Sequence, residues 1–467
     1  MRELKKLGGD LGGGTPPKRG KQTQQAIEVR RREVSNFLQG LPDSAQGVLV
    51  ELNGKDVYVN RLRTADPKFA IRLGCADAGL VSQFIAMEEK KQKRGQAGRG
   101  QSQGDQQDAP EEPEVTEKKA SLEHRAKAAW ADLLRQAGMN FIPQHSLGGE
   151  AIPEGLSQVA FWIIRRNADG LLKKPQFTPI AILAAPGQPT VMGRMPGHDW
   201  MPYPQLLTKL TGRVRGDEEK YEDDQKRVAA VFIRETLGKL AGTPVVAMAY
   251  AQNARSRWDF LGDGRIVPDK IQFGDGPVQR IAVHRGLRLV RVRDGLREET
   301  PQWWAPNADG PAGLSVGFWP LTSDGDGPEA DRRVFYGTAE KGAPHKDALP
   351  ADTKLTPHVA TWTDKKTQEE KTGTFTNADK PAWNPTLLEI TAATLQAGED
   401  PRQWAMYTHQ QRFPDDYPDG LKLPHVLHLA ELATEYALPH EYKILDDDIE
   451  DVVDDGGPGA GGADDTE

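Results

Sequence analysis

The sequence predicts an α/β protein with two domains, and three observations lead to this prediction. The chain has 467 residues, which is more than one compact core usually holds. Apolar runs of strand length alternate with stretches whose apolar residues recur at helical spacing. Glycine and proline, with 48 and 34 copies, mark the ends of many of these runs. We therefore expect a smaller α/β domain over residues 23–145 and a larger one with a mixed sheet over residues 150–442.

The smaller domain is predicted to contain three strands and two helices. In chain order these are a strand over residues 48–52, a strand over 57–59, a helix over 67–74, a strand over 81–85 and a helix over 121–138. The dipeptide Asn53-Gly54 favours a tight hairpin turn between the first two strands. Gly74 and Gly138 are typical of helix ends. The last helix is amphipathic, and Trp130 lies on its apolar side.

The larger domain is predicted to begin with three strands and to end with a helix. Its strands cover residues 158–164, 179–184, 189–195, 245–250, 281–292, 314–319, 334–338 and 387–391, and its helices cover residues 223–240 and 427–436. The run over residues 245–250 is typical of a buried strand. Three strands, a long helix, further strands and a terminal helix form the order of an RNase H-like mixed sheet.

Three segments are too polar to bury a core, and we expect them to be disordered. They are a basic, glycine-rich leader over residues 1–22, an insert over residues 88–119 and an acidic tail over residues 443–467. The formal net charge is −8, but residues 446–467 hold ten acidic side chains and no lysine or arginine, so the rest of the chain carries +2. A mildly basic body is compatible with nucleic-acid binding.

The composition also excludes several kinds of site and location. Cys75 is the single cysteine, which excludes an internal disulfide and a cysteine-based zinc site. No apolar run approaches the length of a membrane span, and residues 1–20 lack the apolar core of a secretory signal. We therefore expect a cytoplasmic protein without a membrane partner.

A motif in the smaller domain resembles a strand-binding segment. Residues 66–74 (DPKFAIRLG), with the spacing from them to Gln83, resemble the part of Argonaute MID domains that binds the 5′ end of a strand. A terminal phosphate needs cations and amide donors that converge on one anion. The resemblance therefore implies a 5′-end pocket formed by Arg72, Gln83 and, on the following helix, Arg135. The alternative is that Arg72 and Lys68 belong only to the solvated face of a short helix.

Motifs in the larger domain resemble a PIWI domain. Arg234 and Glu235, within residues 232–237 (FIRETL), resemble the Arg-Glu signature of the prokaryotic Argonaute-like family named pPIWI-RE. Residues 251–255 (AQNAR) and 383–386 (WNPT) resemble later segments of that family. The resemblance implies a Rossmann-like MID domain followed by an RNase H-like PIWI domain. Because full-length members have a further N-terminal region, the chain resembles a C-terminal half or a split form.

The sequence lacks acidic residues where RNase H-type cleavage needs them. Such cleavage uses carboxylates clustered around two divalent metals. The opening strand of the larger domain runs into Arg165 and Arg166 instead of an aspartate. The strand over residues 245–250 runs into alanine and glutamine, and the last helix offers Glu431 at the corresponding position. We therefore expect that the chain has lost cleavage activity and holds no metal.

Further polar residues are candidates for contact with nucleic acid. Residues 283–293 alternate arginines with aliphatic residues at strand spacing, so Arg291 and Arg293 share one face, which suits a duplex backbone. A solvated edge strand is the alternative. Asn253 and Arg255 follow a strand end, where α/β sheets contact ligands. The predicted nucleic-acid contacts are Arg72, Gln83, Arg135, Arg234, Asn253, Arg255, Arg291, Arg293 and Lys346.

These observations lead to three functional hypotheses. The first is a guide-dependent PIWI module that recognises RNA–DNA hybrids or R-loops in defence against plasmids and phage, without cutting them. The family resemblance implies as partners a guide and a target strand, a DinG-type helicase, a restriction-endonuclease-like protein and a separate N-terminal half. The second is a metal-dependent endonuclease in which a rearranged acidic site, Asp199, Glu235 and Glu389, holds Mg²⁺. The third is a scaffold that binds only protein.

Overall fold

The structure of the protein is a computed structural model. It describes residues 21–40, 45–53, 67–87, 112–148, 151–166, 176–212, 222–281, 284–294, 317–320, 332–338, 358–363, 370–375, 387–415 and 420–437. Several predicted features lie outside these residues. They are the leader up to residue 20, the strand over residues 57–59, residues 88–111 of the insert, Lys346 and the acidic tail.

The smaller domain is built on one pair of parallel strands. Its elements are α1 (Lys21–Gln39), β1 (Gly47–Asn53), α2 (Lys68–Asp77), β2 (Val81–Met87) and α3 (Glu112–Gln136). The two strands are paired from Gly47 opposite Val81 to Asn53 opposite Met87. Parallel strands need a crossover connection, and α2 lies in that connection. The core residues shared by helices and strands include Val34, Leu38, Val48, Ile71 and Leu80.

Four features of this domain differ from the prediction. The sequence reading did not predict α1, which packs against α2 at Gly74, where a Cβ atom would come within 2.6 Å of the carbonyl oxygen of Arg31. Gly74 therefore permits close helix packing, and α2 continues three residues beyond it. The last helix begins at Glu112, so residues 112–119, predicted to be disordered, are helical. Trp130, predicted on the apolar side, is 44% exposed.

The larger domain contains the remaining elements. Its strands are β3 (Ser157–Arg166), β4 (Gln176–Ala184), β5 (Met192–Arg194), β6 (Met201–Pro202), β7 (Val245–Tyr250), β8 (Lys270–Ile271), β9 (Gln279–Arg280), β10 (Leu287–Asp294), β11 (Gly317–Pro320), β12 (Val334–Thr338), β13 (His358–Thr363), β14 (Glu370–Phe375) and β15 (Leu388–Thr394). Its helices are α4 (Tyr203–Gly212), α5 (Glu222–Lys239), α6 (Ala251–Ala254), α7 (Pro401–Gln410) and α8 (His425–Ala433), with 3₁₀ turns over Asp259–Leu261 and Thr434–Tyr436. None of the helices in the described part of the chain is long and apolar enough to cross a membrane.

A mixed sheet of nine described strands organises the larger domain, as the sequence predicted. The strand order is β11-β12-β15-β10-β7-β3-β4-β5-β6. The central strands β3, β7 and β10 are parallel, and the strands on either side join antiparallel. Every residue of β7 is buried, because β7 is covered on both faces and paired on both edges.

Helices cover both faces of this sheet, and β3 shows how its side chains alternate between them. Phe161 and Ile163 point to the face covered by α5, where they pack with Phe232 and Ile233. Ala160, Trp162 and Ile164 point to the opposite face, which is covered by α4, α7 and α8. The buried apolar residues of those three helices include Leu206, Trp404, Leu427 and Leu429. The alternation of buried residues therefore follows from the two-residue period of a strand.

The smaller domain is packed against the end of the larger one. Val81 of β2 and Leu133 of α3 belong to the same apolar cluster as the helices of the larger domain. At the centre of this contact the Tyr436 hydroxyl accepts a hydrogen bond from the Ser82 backbone N–H at 2.7 Å and donates one to Gln136 Oε1 at 2.6 Å. These contacts join the 3₁₀ turn after α8 to both β2 and α3.

Candidate nucleic-acid interface

The parallel strands β3, β7 and β10 end at the same edge of the sheet. Their register brings Arg165 of β3, Asn253 just after β7 and Asp294 of β10 near one another along this edge. The Gln252 side chain also donates a hydrogen bond to the Asp294 carbonyl oxygen at 2.9 Å. Ligands of open α/β sheets are usually contacted at the carboxyl ends of the strands. We therefore expect a ligand of this sheet to lie at this carboxyl edge.

A groove of about 490 Å³ lies at this edge. It is lined by Trp162, Ile163, Arg165, Asn253, Glu431, Leu432, Thr434 and Glu435, which come from β3, α6 and the C-terminal helix and turn. Trp162 stacks on Tyr250 with ring centroids 5.5 Å apart, and its indole N–H donates to Thr434 Oγ1 at 3.1 Å. The wall of the groove is therefore held in place by an aromatic stack and a hydrogen bond.

Asn253 is bonded to β3 through both ends of its amide. Its Oδ1 accepts from the Ile163 N–H at 2.6 Å, and its Nδ2 donates to the Ile163 carbonyl at 2.8 Å. The β3–β7 pairing ends at Phe161 opposite Ala249. Beyond that point the Asn253 amide gives Ile163 the two hydrogen bonds that a neighbouring strand would otherwise provide. The side chain predicted to touch a phosphate or sugar therefore serves to hold β3. Arg255, two residues on, is half-buried in the turn after α6.

Two guanidinium groups share one aromatic ring beside the groove. The Arg257 guanidinium lies 3.5 Å from the centroid of the Phe177 ring, and that of Arg165 lies 5.9 Å from it. Burial lowers the pKa of Arg257, and the positive charge of Arg165 lowers it further, although Glu222 opposes both effects. Arg165 is exposed, and no carboxylate in the described part of the chain pairs with it. This corner of the groove therefore favours an anion.

The acidic residue at the end of β10 is already neutralised. Asp294 is buried, and its carboxylate forms an ion pair with Lys422 at 2.8 Å. The Lys422 ammonium also lies 5.8 Å from the centroid of the Tyr250 ring. The carboxyl edge thus offers an arginine, a bonded amide and a lysine-paired aspartate.

The three candidate catalytic carboxylates each bind a different cation. Exposed Asp199 pairs with Lys239 at 3.2 Å, and the Trp200 backbone N–H and Lys239 lower its pKa. Glu235 pairs with a buried arginine at 3.2 Å. Glu389 is buried within a network of arginines. Among the residues that the structure describes, no three His, Cys, Asp or Glu side chains are grouped so that they could hold a metal ion. The predicted candidates are therefore not brought together.

The arginines of β10 are occupied inside the protein. Arg291 is 6% exposed and bonds Glu389 at 3.0 Å and Asp263 at 2.8 Å. Arg293 bonds the same two carboxylates at 2.6 Å and 2.8 Å. Burial raises the pKa of Asp263, but the bonds and charges of the two arginines lower it by more. The two arginines predicted to face a duplex backbone are thus paired within the protein, and the alternative of a solvated edge strand is wrong, because β10 is a central strand and its charged side chains need internal partners.

The Arg234–Glu235 pair divides between two surfaces. Glu235 reaches Arg194 of β5, which is 5% exposed and whose guanidinium lies 5.0 Å from the centroid of the Phe232 ring. Arg194 also donates to the Thr236 hydroxyl. Arg234 is exposed, and the described residues provide no partner for it. Neighbouring residues on a helix point about 100° apart, so one braces the sheet and the other faces outward.

Arg72 lies at the boundary between the domains. Its Nη1 is 2.7 Å from a Glu435 carboxylate oxygen and donates to the Glu435 backbone carbonyl at 3.0 Å. Its guanidinium is sandwiched between the rings of Phe84 and Tyr436, with centroids at 5.1 and 4.8 Å. Lys68 Nζ lies 3.5 Å from the same carboxylate. Two cations therefore converge on the Glu435 carboxylate, which lies in the 3₁₀ turn after α8.

Gln83 and Arg135 occupy different positions in this boundary. Gln83 Oε1 accepts from Gln136 Nε2 at 2.8 Å, beside the Tyr436 hydroxyl. Arg135 is fully buried, with Asp132 at 3.7 Å. A fully buried guanidinium cannot meet a strand end in this structure, so the structure does not bring Arg135 to the predicted pocket.

The sequence reading missed Glu435, Tyr436, Arg194 and Lys422 as parts of these sites. Glu435 follows Glu431 at helical spacing, so the two acids lie on one side of the last helix and its turn. Their spacing could therefore have predicted an acidic strip on that side of the helix. The pairing of Glu435 with residues more than 350 positions earlier left no such signal.

Two family models match most of the chain. Curated proteins give no match. A crystal structure of the Argonaute of Kluyveromyces polysporus with a guide RNA is similar at 9% identity and a TM-score of 0.34, over 86% of this chain and 39% of that chain. The family model for the MID domain of pPIWI_RE matches residues 3–145, and that for the RNaseH domain of pPIWI_RE matches residues 158–439. The chain therefore belongs to the pPIWI_RE family of Argonaute-like proteins, as its motifs predicted.

Proposed function

We propose that this chain holds a guide strand paired with its target and does not cut either strand. Argonaute-like MID and PIWI domains imply guide-dependent nucleic-acid binding. The observation that carries the non-cleaving part is the carboxyl edge of β3, β7 and β10. Arg165, Asn253 and lysine-paired Asp294 stand there, where two-metal cleavage needs a cluster of free carboxylates.

The charges at this edge oppose metal binding. A permanent guanidinium charge at Arg165 repels a divalent cation, since arginine does not deprotonate in proteins. Asp294 is neutralised by Lys422, and Glu435 by Arg72 and Lys68. Glu431 alone remains as a groove carboxylate without a partner among the described residues. One carboxylate does not form a two-metal cage, whereas an exposed arginine suits a phosphate of a bound backbone.

A cleavage assay tests this part of the proposal. The full chain is mixed with a guide and a labelled complementary target in Mg²⁺ or Mn²⁺, and binding and cutting are measured in the same reaction. We expect a retarded complex with an intact target. Target cleavage that disappears in Glu431→Gln but persists in the exposed control Glu123→Gln would establish the metal-dependent nuclease instead.

The MID domain supplies the second part of the proposal, a pocket for the end of the guide. Lys68 and Arg72 face one carboxylate at the domain boundary, and Gln83 lies on β2, where its side chain is bonded to Gln136. Cations and an amide of this kind are suited to a strand terminus. Crosslinking of a guide that carries a photoreactive group at its 5′ end is expected to label α2 or β2. Labelling confined to the larger domain would remove the pocket from this position.

The paired nucleic acid is proposed to be an RNA–DNA hybrid or an R-loop, bound during defence against plasmids and phage. The net positive charge of the chain outside its acidic tail supports a nucleic-acid partner. A DinG-type helicase, a restriction-endonuclease-like protein and a separate N-terminal half are the proposed partners, and the cytoplasm is the proposed location. Sequencing of nucleic acid and protein that copurify with the chain from its host tests these points. Copurification of protein alone would favour a scaffold.

A further inference from the structure

Glu435 occupies the two cations of the proposed end pocket. Its carboxylate lies 2.7 Å from Arg72 Nη1 and 3.5 Å from Lys68 Nζ, while its backbone carbonyl accepts from Arg72 at 3.0 Å. These cations belong to α2 of the smaller domain, and the carboxylate belongs to the turn after α8 of the larger one. The pocket therefore already contains an anion supplied by the protein.

The surroundings keep this arrangement in place. Arg72 is 5% exposed and lies between the rings of Phe84 and Tyr436, so its guanidinium has little freedom to turn away. Tyr436 is 1% exposed, and its hydroxyl is bonded to Ser82 and Gln136. Since Tyr436 directly follows Glu435, the backbone that carries the carboxylate is fixed as well.

The carboxylate is charged at neutral pH. Burial raises the pKa of Glu435, but the positive charges of Arg72 and Lys68 lower it by more. One of the two positive charges is therefore balanced within the protein. A terminal phosphate brought to the same cations would meet a like charge at close range, whereas a terminal hydroxyl can donate a hydrogen bond to a carboxylate.

We propose that Glu435 determines the specificity of the end pocket, and that it makes the pocket prefer a 5′-hydroxyl strand over a 5′-phosphorylated one. This inference rests on the proposed function, in which the pocket holds the guide end. Glu435 acts as the repulsive element that specific recognition requires, and it rejects the charged terminus. The carboxylate oxygens of Glu435 remain suited to accept a hydrogen bond from a neutral terminus.

Binding of matched oligonucleotides to the full chain tests the inference. Single strands of one sequence, with either a 5′ hydroxyl or a 5′ phosphate, are titrated against the wild type, Glu435→Gln, Glu435→Asp and the exposed control Glu123→Gln. We expect the wild type to favour the hydroxyl strand on the order of tenfold, because adjacent like charges are strongly disfavoured. Glu435→Gln keeps the shape without the charge, and its preference is expected to shift towards phosphate by a similar factor.

The remaining variants separate charge from folding. Glu435→Asp keeps the charge and is expected to keep the hydroxyl preference, and Glu123→Gln is expected to behave as the wild type. A wild type that favours phosphate, or an unchanged ratio in a folded Glu435→Gln variant that still binds both strands, would overturn the inference and leave the proposed function intact. Failure of every strand to bind would overturn the proposed function itself, and the inference with it.

Discussion

Asn253 and Ile163 are joined by two hydrogen bonds that imitate a pair of strands. The Asn253 amide both accepts from and donates to the Ile163 backbone, at 2.6 and 2.8 Å. At this level β7 has already given way to α6, so β3 has lost its neighbour on that side. The amide lets β3 continue to Arg165, and it thereby sets the position of that arginine in the groove.

Replacement of Asn253 by alanine is expected to destabilise the fold by about 1–3 kcal/mol, because it leaves a backbone N–H and carbonyl of β3 unbonded in a half-buried place. Urea unfolding followed by circular dichroism measures this change. The exposed control Lys270→Ala is expected to behave as the wild type. Equal midpoints for both variants would show that solvent replaces the amide without loss.

Removal of the Glu389 charge is expected to be more damaging than any surface change. Glu389 is 1% exposed and is bonded to both Arg291 and Arg293, so Glu389→Gln leaves buried guanidinium charges poorly compensated. Breaking one partner of a buried ion pair costs about 3–5 kcal/mol. Thermal and urea unfolding measure the loss. A Glu389→Gln variant as stable as the wild type would mean that Asp263 alone is enough to balance these arginines.

Acid is expected to destabilise the protein through His425. Burial, together with the charges of Arg135 and His428, lowers the pKa of His425 from 6.5 to about 3. Between these values the unfolded chain binds a proton that the folded chain does not, so stability is fully present above pH 6.5 and falls as the pH drops towards 3. The loss approaches about 1.4 kcal/mol per pH unit within this window.

The pH dependence is measured by urea unfolding at several pH values between 7 and 4, for the wild type, His425→Gln and the exposed control His198→Gln. His425→Gln is expected to show a shallower dependence, and His198→Gln the same dependence as the wild type. Burial and the charge of Arg412 lower the pKa of His409 to about 4, which adds a loss of the same sign, so the dependence is reduced and not abolished. Identical slopes for all three proteins would contradict the assignment to His425.

Arg165 is expected to contribute one contact to a nucleic-acid backbone. Arg165→Ala should weaken binding of a guide–target duplex on the order of tenfold and lower the slope of log affinity against log salt by about one. The matched control is Arg285→Ala, an exposed arginine before β10, at the end of the strand opposite the groove. Fluorescence anisotropy over a salt series makes the comparison. Equal slopes for both variants would place the duplex elsewhere.

Much of the larger domain could be predicted because its strands are short, apolar and separated by clear turns. β7 and β12 have the bounds that the sequence predicted, and α5 differs by one residue at each end. Periodicity does not reveal which strands are neighbours. The arginines of β10 were therefore read as exposed, although the position of β10 between β7 and β15 buries them. The helix α1 was missed because its polar sequence carries only a narrow apolar stripe.

One part of the candidate site could be predicted from the sequence, because it depends only on which residue type stands at the end of a recognisable strand. Arg165 at the end of β3 is this part, since the sequence alone already places a cation and not an acid at that strand end. The role of Glu435 depends instead on a meeting of the first and last parts of the chain, at Arg72. No local sequence pattern predicts a contact between residues so far apart in the chain, and only the folded structure shows it.

Val81 and Leu133 of the smaller domain share an apolar cluster with Leu427 and Leu429 of α8. A joint packed in this way resembles the interior of a single fold more than a hinge. Either domain expressed alone would expose this apolar surface to water. The segment between residues 145 and 157 is therefore a poor place to divide the protein, and we expect the two domains to unfold together because an apolar contact couples them.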